Sequence, residues 1–174
     1  ILRSQPRDPG KIHALGALMY LQASRLSSRT DAEGRLLTIG EQDRSQWDQS
    51  LIRTGVGHLE ASMRSAERSP YHLQAAIAAC HALAPSFEHT NWARILELYD
   101  DLLAIDRSPT VALNRSVAVM MTRDVDEAIA YSGLIVAVHG FISPSPTASA
   151  TNFGKAVAAA AAKPVSFSVL MVAG

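Results

Sequence analysis

The 174 residues of this chain include 16 basic and 16 acidic side chains, so the formal net charge is zero, and 48% of the residues are hydrophobic. This length and apolar content suit one globular domain with a sizeable core. The balanced charge gives no indication of nucleic-acid or membrane-surface binding. The single Cys80 excludes an internal disulfide, which favours a reducing compartment. No apolar run is long enough to span a bilayer, and the amino end lacks an initiator Met and a signal-peptide pattern. We therefore expect part of a longer cytoplasmic protein.

The first predicted helix begins at Asp8-Pro9, because Asp can cap free amide groups and Pro suits the first helical turn. Its apolar stripe is predicted from residues at three- and four-residue steps: Ile12, Leu15, Leu18, Met19 and Leu26. A polar stretch follows from Arg25 to Trp47, without helical or strand periodicity. A loop this long inside a helical domain is either disordered or functional. Apolar residues within it (Leu36, Leu37, Ile39 and Trp47) favour an ordered loop.

Five more helices are predicted after the loop. Ser45 is expected to cap the second helix, which places Trp47, Leu51, Ile52, Leu59 and Met63 inward. Gly55-Val-Gly57 lies within this helix and is expected to serve close helix packing or a local kink. Ser69-Pro70 starts the third helix, Thr90 caps the fourth, Ser108-Pro109 starts the fifth, and the sixth starts near Asp124. The region from Leu98 to Tyr131 resembles tetratricopeptide repeats, which are stacked antiparallel helix pairs.

Residues for catalysis, metal binding or cofactor binding are not apparent. The six histidines lack the HExxH or CxxC context of metal sites, and no nucleophile elbow or strand-linked glycine loop occurs. Adjacent Cys80 and His81 point about 100° apart on a helix, so they do not form a nucleophile–base pair. We therefore expect a protein that is not an enzyme and that binds no cofactor or metal.

Five blocks of the chain form a recognisable series: RTDAEGRL (29–36), QDRSQW (42–47), PYHLQAAIAA (70–79), TNW (90–92) and SPTVALNR (108–115). In sequence and in order, these blocks resemble the carboxy-terminal extension of bacterial extracytoplasmic-function (ECF) RNA polymerase sigma factors. The resemblance implies an all-α fold of stacked antiparallel helix pairs, tetratricopeptide-like in the second half, with a long ordered loop between the first two helices. The helical extension domain would occupy residues 1–139. Residues 140–174 depart from the family's pattern and are predicted to form a divergent, poorly ordered tail.

The function that this resemblance implies is regulation of transcription initiation through protein–protein contacts, with upstream sigma domains of the same polypeptide or with RNA polymerase as partner. Direct nucleic-acid contact by this segment is not expected, because its basic residues alternate with acidic ones. The candidate interaction surface consists of seven loop residues: Arg25, Arg29, Asp31, Arg35, Asp43, Arg44 and Trp47. For Arg29, Asp31, Asp43 and Arg44 an equal alternative is that they only pin the loop to the helices. Other functions that the sequence allows are a stand-alone helical-repeat adaptor and a small-molecule-sensing helical domain.

Overall fold

The computed structural model of the chain describes residues 8–122. Within this range the chain forms five α-helices and no extended strand, which confirms the predicted all-α fold. The helices are α1 (Pro9–Ala23), α2 (Gln49–Ser62), α3 (Pro70–Leu83), α4 (Trp92–Ile105) and α5 (Pro109–Thr122). Two short 3₁₀ turns, Leu26–Ser28 and Arg44–Gln46, lie in the loop between α1 and α2. The predicted sixth helix and the predicted tail lie outside the described residues.

Helix α1 begins as predicted but buries a different face. The Asp8 carboxylate accepts a hydrogen bond from the Gly10 amide (2.9 Å), and Pro9 occupies the first turn. The buried residues of α1 are Gly10, Ala14, Ala17 and Leu21. The predicted stripe was wrong for Ile12, Leu15, Met19 and Leu26, which are exposed. Small side chains on the buried face let neighbouring helices approach closely, and this close packing outweighs the burial of the bulkier residues.

Helices α1 and α2 are antiparallel and in close contact. The Asp48 amide donates to the Ser24 carbonyl (2.8 Å), which joins the end of α1 to the start of α2. At the other end, a Cβ added to Gly10 would lie 2.2 Å from Ser65 Cβ. A Cβ added to Gly55 would lie 2.8 Å from Leu21 Cγ, which confirms that Gly55 serves close helix packing.

The start of α2 differs from the prediction. Asp48, and not Ser45, caps this helix, since its carboxylate accepts from the amides of Ser50 (2.8 Å) and Leu51 (3.0 Å). Ser45 instead belongs to the second 3₁₀ turn, where it bonds Asp43. Trp47 therefore precedes α2, although it is buried as predicted.

Helix α3 packs against both α1 and α2. It starts at Ser69-Pro70 as predicted, where the Ser69 amide donates to His72 Nδ1 (3.0 Å). Ala78 and Ala79 of this helix join a core cluster with three residues from the rest of the bundle: Leu21, Trp47 and Ile52. The loop residue Trp47 is thus part of the core that holds the first three helices together.

Within residues 8–122 the chain divides into two units, with the boundary between residues 94 and 95. In the described part of the second unit, Ile95, Leu98 and Leu102 of α4 and Val111 and Val119 of α5 are buried. The Arg115 guanidinium pairs with the Asp100 carboxylate and so links α5 to α4. The helices of this unit agree with the predicted ones, but their tetratricopeptide character remains a prediction.

Two helix starts in this region have different outcomes. The Arg94 amide donates to Asn91 Oδ1 (3.0 Å), so Asn91 caps α4 in place of the predicted Thr90. Thr90 is buried, and its hydroxyl donates to the Ser86 carbonyl (3.3 Å). At α5, the Val111 amide donates to the Ser108 hydroxyl (3.4 Å), which agrees with the predicted start at Ser108-Pro109.

Candidate functional site on the loop between the first two helices

The loop leaves α1 through a hydroxyl-lined turn. The buried Ser24 hydroxyl donates to the Leu21 carbonyl (2.8 Å), and the buried Ser28 hydroxyl donates to the Arg25 carbonyl (3.0 Å). Carbonyls at the end of a helix lack partners within the helix, and these hydroxyls supply them. The first segment of the loop is therefore fixed to α1 by local hydrogen bonds.

The tip of the loop is a tight turn held by Asp31. Its carboxylate accepts from the Arg35 amide (2.7 Å) and from Arg35 Nε (2.9 Å), and Thr30 pairs with Leu36 across the turn. Gly34 has a φ of +80°, a left-handed conformation in which other residues are strained. Arg35 also lies 3.5 Å from Glu41, and these two carboxylates raise the pKa of its exposed guanidinium. Ion pairs this exposed contribute little to stability, so the turn geometry holds the tip.

Side chains of the following segment bond back onto the loop itself. Glu41 Oε2 accepts from both the amide (2.9 Å) and the hydroxyl (2.8 Å) of Thr38. The Gln42 side-chain amide donates to the Leu37 carbonyl (3.2 Å), while its Oε1 is buried without a partner among the described residues. These bonds make the loop an ordered element, as predicted.

The second 3₁₀ turn places Arg44 against the end of α3. Asp43 caps this turn by accepting from the Ser45 amide (2.9 Å) and hydroxyl (2.7 Å), which lowers the pKa of its carboxyl. Arg44 Nη1 donates to the carbonyls of His81 (2.6 Å) and Ala84 (3.0 Å). The Arg44 guanidinium also lies 4.5 Å from the centre of the Trp47 ring, a cation–π geometry. Arg44 thus links the loop to the carboxyl end of α3, where a cation is favoured.

Arg25 lies on the inner side of the loop and is 6% exposed. Its Nη2 donates to Gln22 Oε1 (2.5 Å). Burial lowers the pKa of Arg25 to about 10, and the charges of Arg29 and Arg44 contribute in the same direction. Burial likewise lowers the pKa of His81 to about 3, assisted by Arg25 and Arg44. His81 is therefore neutral at physiological pH, beside two permanent cations.

The structure separates six of the seven predicted surface residues into two groups, and the seventh, Arg29, is half-buried. Arg25 and Trp47 are buried, so they can support a contact surface but cannot form its outer face. Asp31, Arg35 and Asp43 bond within the loop, and Arg44 bonds to α3. Of the four residues that were expected to pin the loop to the helices, Arg44 bonds to α3, whereas Asp31 and Asp43 bond within the loop. A partner contact by any of the seven stays a prediction.

Two features of this unit were not apparent from the sequence. The first is a set of exposed apolar side chains. On the loop these are Leu26 and Leu36, of which Leu36 is 62% exposed. On α1 they are Ile12, Leu15 and Met19, of which Met19 is 64% exposed. A second feature is a pair of imidazoles, since His13 Nδ1 lies 2.9 Å from His58 Nδ1, with the Tyr20 ring stacked on His58. The two histidines are 45 residues apart and lie on different helices, so no sequence spacing indicated the pair.

Among residues 8–122 there is no group of three or more His, Cys, Asp or Glu side chains that could hold a metal ion. In the same part of the chain, every helix is too short or too polar to cross a bilayer.

Comparison with known proteins locates similarity in the same region. Residues 1–63, which include α1, the loop and α2, match a family of unknown function (DUF6596). The uncharacterized protein R00370 of Rhizobium meliloti (strain 1021) is 39% identical over 130 residues, which cover 75% of this chain and 30% of that protein. The chain is thus similar to one part of a considerably longer relative. No solved structure matches the chain.

Proposed function

We propose that this chain is a regulatory domain of an ECF RNA polymerase sigma factor, and that it acts through protein–protein contacts made by α1 and the loop. The observation that carries the proposal is a loop held in one conformation by core and helix contacts while it presents apolar side chains outward. Leu36 follows the Gly34 turn and is exposed, while Trp47 of the same loop is 4% exposed. A linker without a binding role needs neither of these features.

The outer surface has the composition of a contact site. Ile12, Leu15 and Met19 are separated by three and four residues, so they lie along one side of α1, and all three are exposed. Exposed apolar side chains grouped on one face are typical of protein-binding surfaces, whereas scattered ones are ordinary. The charged residues Asp31 and Arg35 at the loop tip would supply a polar rim.

The length of the relative supports a role within a larger protein. The matched region is 30% of the Rhizobium protein, so a domain that contacts other parts of the same polypeptide is consistent with this comparison. The resemblance of the loop and of the helix starts to sigma-factor extensions supplies the transcriptional part of the proposal. Upstream sigma domains or RNA polymerase would be the partners.

The test uses the complete protein encoded by the reading frame that contains this segment. Run-off transcription with purified core RNA polymerase would compare the complete protein with Met19→Asp and Leu36→Asp variants. Because both side chains are exposed, we expect folding to be preserved and transcription to change at least tenfold. Met63→Asp, at a similarly exposed methionine immediately after α2, is the matched control. We expect it to behave as the parent protein.

Two results would contradict the proposal. A reading frame without a promoter-binding module would exclude a sigma factor and favour a stand-alone adaptor. Unchanged transcription in both α1 and loop variants would exclude this surface as the regulatory contact.

A further inference from the structure

The inner side of the loop carries a positive charge that no carboxylate among residues 8–122 pairs. Arg25 is 6% exposed, and within this range the one hydrogen bond of its guanidinium is to the neutral amide oxygen of Gln22 (2.5 Å). Within residues 8–122 it forms no ion pair with a carboxylate. A buried cation that lacks a counter-charge is strongly unfavourable. The site therefore favours an added anion.

A second guanidinium lies close to the first. The Ser27 hydroxyl donates to the Gln46 carbonyl (3.1 Å), and the Asp48 amide donates to the Ser24 carbonyl (2.8 Å), so the segments that carry Arg25 and Arg44 run side by side. The charges of Arg29 and Arg44 lower the pKa of Arg25, which shows mutual repulsion among these cations. Glu88, the acidic group that acts on Arg44, is on the surface.

The same region has a surplus of hydrogen-bond donors. Arg44 Nη2, Trp47 Nε1 and His81 Nδ1 are buried and have no partner among the described residues. Arginine and indole nitrogens only donate, and His81 Nδ1 can donate in one tautomer. His81 is more than nine-tenths buried, so water does not readily satisfy it. Buried polar groups in native proteins are generally paired, and an acceptor from outside the chain would pair these.

We propose that Arg25 and Arg44, with Trp47 and His81 beside them, form a binding site for an oxyanion, a carboxylate or phosphate group. Such a group brings negative charge together with two or more acceptor oxygens, and guanidinium donors match this arrangement. The Arg44 side chain is half-buried, so the site lies next to the surface. The site would anchor the loop to α1 and α3 when it is occupied. This inference does not depend on the proposed role in transcription, because it concerns the isolated chain.

The test measures the melting temperature of the 174-residue chain at constant ionic strength and pH 7.5. Sodium phosphate, sodium acetate and sodium chloride would be titrated in separate series. We expect an oxyanion to raise the melting temperature above its value in chloride, and this rise should saturate. At an oxyanion concentration a hundredfold above Kd the rise should be roughly 5–10 °C. A response to acetate alone assigns the site to carboxylates, and a response to phosphate alone assigns it to phosphate groups.

Variants locate the effect. We expect Arg25→Gln and Arg44→Gln to abolish the rise and Arg53→Gln, at an exposed arginine of α2, to retain it. Arg44→Gln also removes bonds to α3, so Arg25→Gln is the more informative change, with far-UV circular dichroism to establish that it folds. In chloride alone, Arg25→Gln should melt no lower than the parent, because it removes an uncompensated buried charge. The proposal is overturned if no oxyanion raises the melting temperature above its value in chloride, or if Arg25→Gln retains the rise. It is also overturned if the Arg25→Gln chain melts lower than the parent or unfolds in chloride, since Arg25 then serves to hold the structure together.

Discussion

Gly55 and Gly57 lie two residues apart in α2, and replacing each by alanine tests the close packing of α1 on α2. Alanine is favoured over glycine in a helix by about 0.5–1 kcal/mol, and this gain is common to both variants. A Cβ at Gly57 meets nothing within 4 Å. A Cβ at Gly55 would lie 2.8 Å from Leu21 Cγ, 3.1 Å from Leu21 Cδ2 and 3.3 Å from the Ala17 carbonyl oxygen.

Neither neighbour of Gly55 can easily move, because Leu21 is 1% exposed and the Ala17 oxygen belongs to the backbone of α1. Overpacking of this kind costs about 1–3 kcal/mol. We therefore expect Gly57→Ala to stabilise the chain slightly and Gly55→Ala to be less stable than Gly57→Ala by that amount. For a chain of this size the melting temperatures would differ by about 2–12 °C.

The assay is urea unfolding followed by far-UV circular dichroism, with both variants and the parent measured side by side. Similar slopes with urea would show that the unfolded state is unchanged, so that the midpoints report stability. If Gly55→Ala is as stable as Gly57→Ala, the two helices do not approach as closely as described, and the reasoning fails.

Three further changes test the loop and its support. Trp47→Ala removes a ring from the core cluster and should cost about 3–5 kcal/mol in urea unfolding; a loss under about 1 kcal/mol would mean that the ring is not in the core. Gly34→Ala places a side chain at a φ of +80° with free space around it, so we expect a loss of stability of about 1–2 kcal/mol from backbone strain alone. An unchanged urea midpoint would contradict the left-handed conformation of residue 34. His81 has a pKa of about 3 in the fold and about 6.5 when unfolded, so the folded state binds fewer protons and stability falls as the pH drops below 6.5. Between pH 6.5 and pH 5 this loss is about 1.6 kcal/mol, and it should be absent in His81→Gln. Equal pH dependence in both proteins would exclude His81 as the cause.

Helix starts were predicted well where the signal is local. Asp8-Pro9, Ser69-Pro70 and Ser108-Pro109 each combine a capping side chain with a proline whose missing amide needs no partner. The predicted caps Ser45 and Thr90 were wrong because Asp48 and Asn91, a few residues further on, are the residues that cap α2 and α4. Both segments contain more than one residue that could cap the helix, and the sequence does not show which of these residues does so.

The sequence identified the loop as the region of interest but not the roles of its residues. Its apolar residues predicted order, and Trp47 is indeed in the core. Arg44 meets carbonyls 37 and 40 residues away, so its pairing with α3 follows only from the way the helices pack. The same holds for His81, for which the sequence excluded only a pairing with Cys80 and which lies beside Arg25 and Arg44.

Composition, capping signals and loop residues by themselves determined an all-α chain, the order of its helices and an ordered segment between the first two. These properties depend on neighbours a few positions apart, whose geometry a helix or turn makes regular. Tertiary structure alone decided which face of α1 is buried. The sequence favoured the bulky residues Ile12, Leu15 and Met19, but Gly10, Ala14 and Ala17 face the other helices because short side chains let the backbones approach. The uncompensated charge at Arg25 was likewise decided by packing, since burial is a property of the assembled fold and not of the chain's own pattern.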